Sequence, residues 1–484
     1  SLSTGNLPTP AIAKPSEHFD ALTYTGSSSS LEVDGLEFTP NFVWFKKRNG
    51  TEGNYLVDDV RGISNGLVSN TSDAEDTSQR VTSFDDDGFT LVGANGYTNE
   101  SSSYTYVAWS WKGGTEVTQS GTHTYELALE LTDSDGIGWG GWSMYTTPRL
   151  EVIEGTTSLG FATVGYYQST ANYVIKTNNK DAIKIVWDYN SSAGGDVDQQ
   201  GATLKNGSTV IQTAYTTSDT LYDGEVWITQ STTSNESTTG TLAVGTPASY
   251  PVRNANSDAG FSIAKWTGDS STTATQTVNH GLGVAPEMII AKGRTSTSAY
   301  GTANWWVYHK DVTSGSFLSL NTSGTPTSFY GAGMTNIGAT SVDFSNDTMM
   351  SHYLNYGGDG VPVGMGGTAA EDYIAYMFAS VEGYSKIGSY VGNNSVNGPF
   401  VYCGFRPRWF MLKTKDGTGP WVIIDAARDP INDTDSTLSA DTSNAESAYN
   451  AEHDFDILSN GFKVRASTYY GYSNDDGEKY IFYA

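Results

Sequence analysis

The chain holds 484 residues with a net charge of −27, from 53 acidic and 26 basic side chains, and a single cysteine, Cys403. That balance argues against a nucleic-acid partner, because phosphate contacts need clustered Lys and Arg. One cysteine excludes an intrachain disulfide, and the lack of an 18-residue apolar run argues against membrane insertion by a helix.

Residues 1–20, "SLSTGNLPTPAIAKPSEHFD", place Pro8, Pro10 and Pro15 in a short polar stretch with neither a basic nor an apolar leader region. They read as an extended arm that could tie the chain to a neighbour, and not as a signal peptide. Beyond it, short β-branched and aromatic runs alternate with Gly, Asn, Asp and Ser, and no stretch shows helical periodicity. The chain therefore reads as all-β.

A unit then recurs three times. At 21–114 it comprises "FTPNFVWFKKR", "NYLVDDVRG", "SFDDDGFTLVG" and "YVAWSW". At 256–384 it comprises "GLGVAPEMIIAKGR", "NWWVYHKD" and "YIAYMFA", and at 385–484 "GFRPRWFMLK", "WVIIDAARDP", "DILSNGFKV" and "YIFYA". Pro40, Pro286 and Pro407 each precede a lysine (Lys46, Lys292, Lys413) across five mostly apolar residues. A proline suits the entry to a strand. Apolar residues on both faces describe a central strand buried between two layers. Each lysine is expected to end the buried stretch and carry its charge to the rim. Asp58-x-x-Arg61 matches Asp425-x-x-Arg428, whereas the middle copy has His309 in place of the Asp and is expected to pack it at a strand end. Gly88-Phe89 likewise matches Gly461-Phe462 and departs to Asp343-Phe344.

Residues 115–255 lack this pattern but stay β-like. "YELALELT" (125–132), "AIKIVWDY" (182–189) and "GEVWIT" (224–229) predict strands of a separate, inserted β-sandwich domain.

Candidate sites are of two kinds. Acidic Gly turns at Asp133 and Asp135, at Asp85 and Asp87, and in "NDDG" (474–477) could supply hard oxygen ligands for Ca²⁺, though Asp and Gly also make ordinary hairpin turns. No other cofactor is implied. Aromatic side chains set between glycines and polar residues, Trp139, Trp142 and Tyr145 in "GWGGWSMY" and Tyr469, Tyr470 and Tyr472 in "YYGYSND", could stack on sugars, anchor a partner protein or fill a subunit contact. No catalytic motif stands out, and Cys403 reads as a small buried apolar residue.

The ordered motifs "FTPNFVWFKKR…YLVDDVRG…SFDDDGFTLVG…YVAWSWKGG", "VNHGLGVAPEMIIAKGR…NWWVYHKD" and "GFRPRWFMLK…WVIIDAARDPIN" resemble the repeats of tail-fibre or receptor-binding-like structural proteins of marine tailed bacteriophages, over 1–114 and 260–484. The resemblance implies tandem β-sandwich domains of lectin-like jelly-roll type in a non-enzymatic virion protein. It implies an appendage that contacts a host-surface glycan or protein, joins other virion proteins through its N-terminal arm, and assembles as a homo-oligomer, a trimer by preference. A head-decorating fibre and a polysaccharide depolymerase are the alternatives.

Overall fold

A computed structural model describes in full residues 10–114, 254–266, 278–295, 304–328, 333–344, 372–447, 454–466 and 473–484, together with the backbone of further strands named below. Among the described residues the chain is all-β, with antiparallel pairing throughout and one short 3₁₀ turn, Pro15–Glu17. It divides into two units: Ser1–Val117 with Pro251–Ala484, and Thr118–Tyr250.

In the first unit each repeat builds two facing sheets. The first repeat orders Phe19–Thr25, Thr105–Trp111, Phe42–Lys47, Tyr55–Asp58 and Gly66–Val68 in one sheet, and Leu31–Asp34, Gly88–Leu91 and Val81–Asp85 in the other. The third repeat reproduces this with Ile387–Val391, Lys479–Tyr483, Trp409–Thr414, Val422–Asp425 and Leu438–Ser439 facing Phe400–Tyr402, Gly461–Val464 and Phe455–Leu458. The second keeps the same centre, with Met288–Gly293 between Asp372–Phe378 and Trp306–His309. Its sheet is widened by Val252–Asn256, which pairs with Phe261–Thr267, and by Glu116–Val117, which pairs with Val252–Asn256. These flanking residues were expected within the 115–255 insert. They belong instead to the second repeat's sheet.

The three Pro-x5-Lys segments are the central strands, and all six residues of each are buried. Alternation sends their side chains two ways. Val43 and Phe45 enter the first repeat's own core, Ile289 and Ala291 the second's, and Phe410 and Leu412 the third's. The opposite faces supply Phe42 and Trp44, Met288 and Ile290, and Trp409 and Met411 to one core common to all three repeats. The repeats are therefore not beads on a string. Each sandwich covers its own core with one sheet face and the shared core with the other. Aromatic contacts such as Phe42–Tyr376 (4.4 Å) and Trp111–Trp409 (5.6 Å) cross between repeats there, and packing leaves an apolar void of only about 10 Å³.

The Gly-Phe motif has a steric cause. A Cβ on Gly88 would stand 1.9 Å from the Val33 carbonyl oxygen, and one on Gly461 would stand 2.0 Å from that of Val401. In both repeats the close contact is to the neighbouring strand on the side away from the two-residue hairpin turn, Leu31–Asp34 or Phe400–Tyr402. The middle copy spans the same hairpin with residues 336–340, and there Asp343 accepts a hydrogen bond from Asn336 Nδ2 at 2.7 Å.

The second unit places Thr170–Thr177, His123–Thr132, Gln199–Asn206 and Thr209–Thr216 in one antiparallel sheet. Thr157–Thr163, Met144–Glu154, Ile183–Ser191, Glu236–Ala243 and Val226–Trp227 form another. No helix among the described residues is long and apolar enough to cross a membrane.

Candidate functional site

The contacts between repeats are repeated three times in cyclic order. Lys46 Nζ donates to the carbonyls of Lys47 (2.9 Å), Glu52 (2.8 Å) and, in the third repeat, Ser443 (3.3 Å). Lys292 donates to Ser72 O in the first repeat (3.2 Å), and Lys413 to Ser323 O in the second (3.2 Å). This corrects the rim position expected for these lysines. All three are at most 2 % exposed, and burial pushes Lys46 and Lys413 down to about 8. Buried cations persist because carbonyl oxygens of their own and of the neighbouring repeat satisfy them.

A second ring of joints runs alongside. The indole N–H of Trp421 donates to Ser319 O (2.9 Å) and that of Trp305 to Val68 O (3.0 Å), while Asn54 Nδ2, at the equivalent position, reaches Ser439 O (3.0 Å). Arg48 binds Glu446 through two hydrogen bonds (2.8 and 2.9 Å), and Arg294 binds Glu75 in the same way (2.7 and 3.2 Å).

The Asp-x-x-Arg motif lies at the centre of this ring. Asp58 accepts from Arg61 N (2.8 Å) and Nε (2.5 Å), and from the Tyr376 hydroxyl of the second repeat (2.7 Å). Asp425 accepts from Arg428 N (2.8 Å) and Nε (2.6 Å), and from Trp109 Nε1 of the first (2.9 Å). Each guanidinium also donates to a strand carbonyl and to a glutamate, Arg61 to Leu56 O and Glu75, Arg428 to Ile423 O and Glu446. His309 holds the third position and ends its strand. Its Nδ1 accepts Asp311 N–H (3.1 Å), so Nε2 carries the proton toward Phe482 O of the third repeat (3.4 Å). Burial pushes its pKa down to about 4, which keeps the ring neutral. The motif therefore holds repeats together, and its charged groups are consumed by one another.

Of the residues singled out from sequence, Trp139, Trp142, Tyr469, Tyr470, Tyr472, Asp133 and Asp135 lie outside the described residues, and Tyr145 falls in the strand Met144–Glu154. Asp85 accepts the Thr90 hydroxyl (2.8 Å), and Asp86 and Asp87 form the hairpin turn, with the Asp87 carbonyl held by the N–H groups of Gly35 and Leu36. Among the described residues no group of three His, Cys, Asp or Glu side chains is placed to hold a metal ion. Cys403 is buried in the third repeat's core, which pushes its thiol up to about 12.

Two surface features of the third repeat were not singled out from sequence. Phe400 and Tyr402 stand 44 % and 51 % exposed on the edge strand Phe400–Tyr402. By register, Val401 opposes Phe462 as Val33 opposes Phe89, so these aromatics occupy the positions of Glu32 and Asp34, charges that keep the first repeat's edge strand from pairing. The other feature is a cleft of about 380 Å³ walled by Phe19, Trp111, Trp409, Tyr483, Arg406 and Arg408. The signal for it was present in the repeat motif. The third copy flanks its proline with two arginines, Arg406 and Arg408, where the others carry Thr39 and Asn41 or Ala285 and Glu287.

The family profile described as a domain of unknown function (DUF7483) matches residues 14–126 and 158–484. No curated protein and no solved structure matches the chain.

Proposed function

The chain belongs to the DUF7483 family, and we propose that it is a non-enzymatic structural protein of a bacteriophage virion, part of a tail fibre or similar appendage that contacts the host surface. The observation that carries this reading is the closed ring of inter-repeat joints. Head-to-tail contacts that close on themselves generate a ring, and here one chain supplies all three members, doing within a single polypeptide what a homotrimer does with three. Such a ring is a rigid platform. Its polar groups are spent on cohesion, and its outward faces are free to diverge between repeats. The aromatic edge at Phe400 and Tyr402 is one such divergence and would form a contact surface; Trp139, Trp142 and Tyr145 of the inserted unit would supply contacts of their own. The N-terminal arm would join other virion proteins through residues 1–9. Its described part lies on this chain, with Ala11 N–H donating to Glu382 O at 3.0 Å and Ile12 buried.

Mass spectrometry of purified particles followed by cryo-EM reconstruction tests the proposal. The expected result is density for the ring on the tail, with Phe400 and Tyr402 facing outward. Absence of the chain from particles, or a ring whose third repeat is buried against other subunits, refutes it.

A further inference from the structure

Three seams close the ring, and they are not equally built. At two of them a loop of one pattern is clamped through both main chain and side chain. In "NTSDAED" (70–76) Glu75 N–H donates to Arg294 O at 2.9 Å, and its carboxylate holds the Arg294 guanidinium. In "DTSNAES" (441–447) Glu446 N–H donates to Arg48 O at 2.6 Å, and its carboxylate holds Arg48. The second repeat's loop reads "NTSGTPT" (321–327), with Pro326 at the glutamate's position and Lys415 of the third repeat at the arginine's. A proline there removes the carboxylate and the N–H together. Among the described residues Lys415 pairs only with Asp416 of its own repeat, at 3.9 Å. Ser323 O still accepts from Lys413 Nζ (3.2 Å) and Gly419 N–H (2.9 Å), but Ser323 is exposed where Ser72 and Ser443 are half-buried.

The chain crosses this same seam directly, through 379–386. That connection is a tight turn bridged between Val381 and Ser385, with Gly383 in the left-handed region at φ +75°. Phe378, which leads into it, pairs with Met288 at the start of the second repeat's central strand, whereas Lys415 follows the end of the third's. A short turn at one end and a missing clamp at the other describe a hinged joint, since hinges are a few loop residues that absorb the backbone change. The N-terminal arm of the first repeat lies over the turn. A Cβ on Gly383 would stand 2.6 Å from Pro10 Cβ, Ala11 N–H donates to Glu382 O at 3.0 Å, and the His18 ring meets that of Tyr384 edge-on at 6.1 Å. Ile12, 5 % exposed, anchors the arm.

We infer that the ring opens at the seam between the second and third repeats, hinged on 379–386, and that the arm is the strap that holds this hinge shut. Drawing the arm onto a partner then loosens this seam and leaves the other two closed. The inference deepens the reading of the arm as an attachment segment and rests on it only for what draws the arm away. Opening is measured on the isolated chain and particle membership on the particle, so either can fail alone.

The test is hydrogen–deuterium exchange with mass spectrometry on the full chain. Three equivalent amides report the three seams like for like: Ser69 N–H donates to Asn54 O (3.0 Å), Leu320 N–H to Trp305 O (2.9 Å) and Ala440 N–H to Trp421 O (2.9 Å), each at the root of its loop. The peptide holding Leu320 is expected to exchange about ten-fold or more faster than the other two, the size of one charge-assisted hydrogen bond expressed as local opening. Ala11→Pro combined with Ile12→Asp, which removes the arm's N–H and its anchor, should speed that peptide further and leave the other two unchanged. Pro326→Glu combined with Lys415→Arg, which restores the clamp, should slow it toward them. Should the arm variant fail to fold, the comparison within the unmodified chain and the restored clamp still decide. Equal exchange at the three amides, an arm variant that speeds all three alike or none, or a restored clamp that leaves the Leu320 peptide unchanged would overturn the inference.

Discussion

The tyrosine that joins the first two repeats offers a clean perturbation. Tyr376 is 1 % exposed, stacks on Phe42 with ring centroids 4.4 Å apart and donates its hydroxyl to Asp58 Oδ2 at 2.7 Å. Tyr376→Phe keeps the ring contact and deletes the hydrogen bond. Asp58 Oδ2 retains Arg61 Nε, so no buried acceptor is left bare, and the loss is that of one hydrogen bond to a charged group, about 1.5–3 kcal/mol. Asp58→Asn is the harsher change, because it removes the carboxylate facing the fully buried Arg61 guanidinium and leaves Glu75 as its counter-ion among the described residues. Breaking a buried pair in this way costs about 3–5 kcal/mol. Denaturant titration read by hydrogen–deuterium exchange on peptides spanning 55–68 and 372–378 isolates the ring from the inserted unit. The two substitutions should be coupled, the double variant costing at least about 0.5 kcal/mol less than their sum, as residues sharing one network do. A Tyr376→Phe cost below about 0.5 kcal/mol, or strict additivity, would refute the reading of Asp58 as a joint between repeats.

His309 should give the ring an acid sensitivity. Its folded pKa is depressed from 6.5 to about 4, so between those values the unfolded chain takes up a proton that the folded chain refuses, and stability falls as pH drops through that window. The depression corresponds to on the order of 3 kcal/mol by pH 4. The stability of a His309→Gln variant should therefore converge on, or overtake, that of the parent chain between pH 6.5 and 4, and parallel pH profiles would count against it. Excision of the second unit tests the independence of the ring. Val117 and Arg253 are paired neighbours in one sheet, so replacing 118–250 by a short Gly-containing turn should leave the ring's stability within about 1 kcal/mol by calorimetry. A ring that fails to fold without the insert would show that the two units are interdependent.

What the sequence determined by itself was local and periodic. Three buried central strands could be read from Pro-x5-Lys because a strand covered on both faces needs apolar residues at consecutive positions. The hairpin at Asp86 and Asp87 was legible because two turn residues between alternating segments leave little other choice. Sequence also marked His309 as the odd member of its set. Tertiary structure decided where the two faces of those strands point. That one face meets a core shared by three repeats depends on pairings such as Trp109 with Asp425, 316 positions apart, which no local pattern encodes. The same distance explains the lysines. At the end of an apolar run, Lys46, Lys292 and Lys413 read as rim residues, because part of the carbonyl set that makes burial tolerable comes from another repeat.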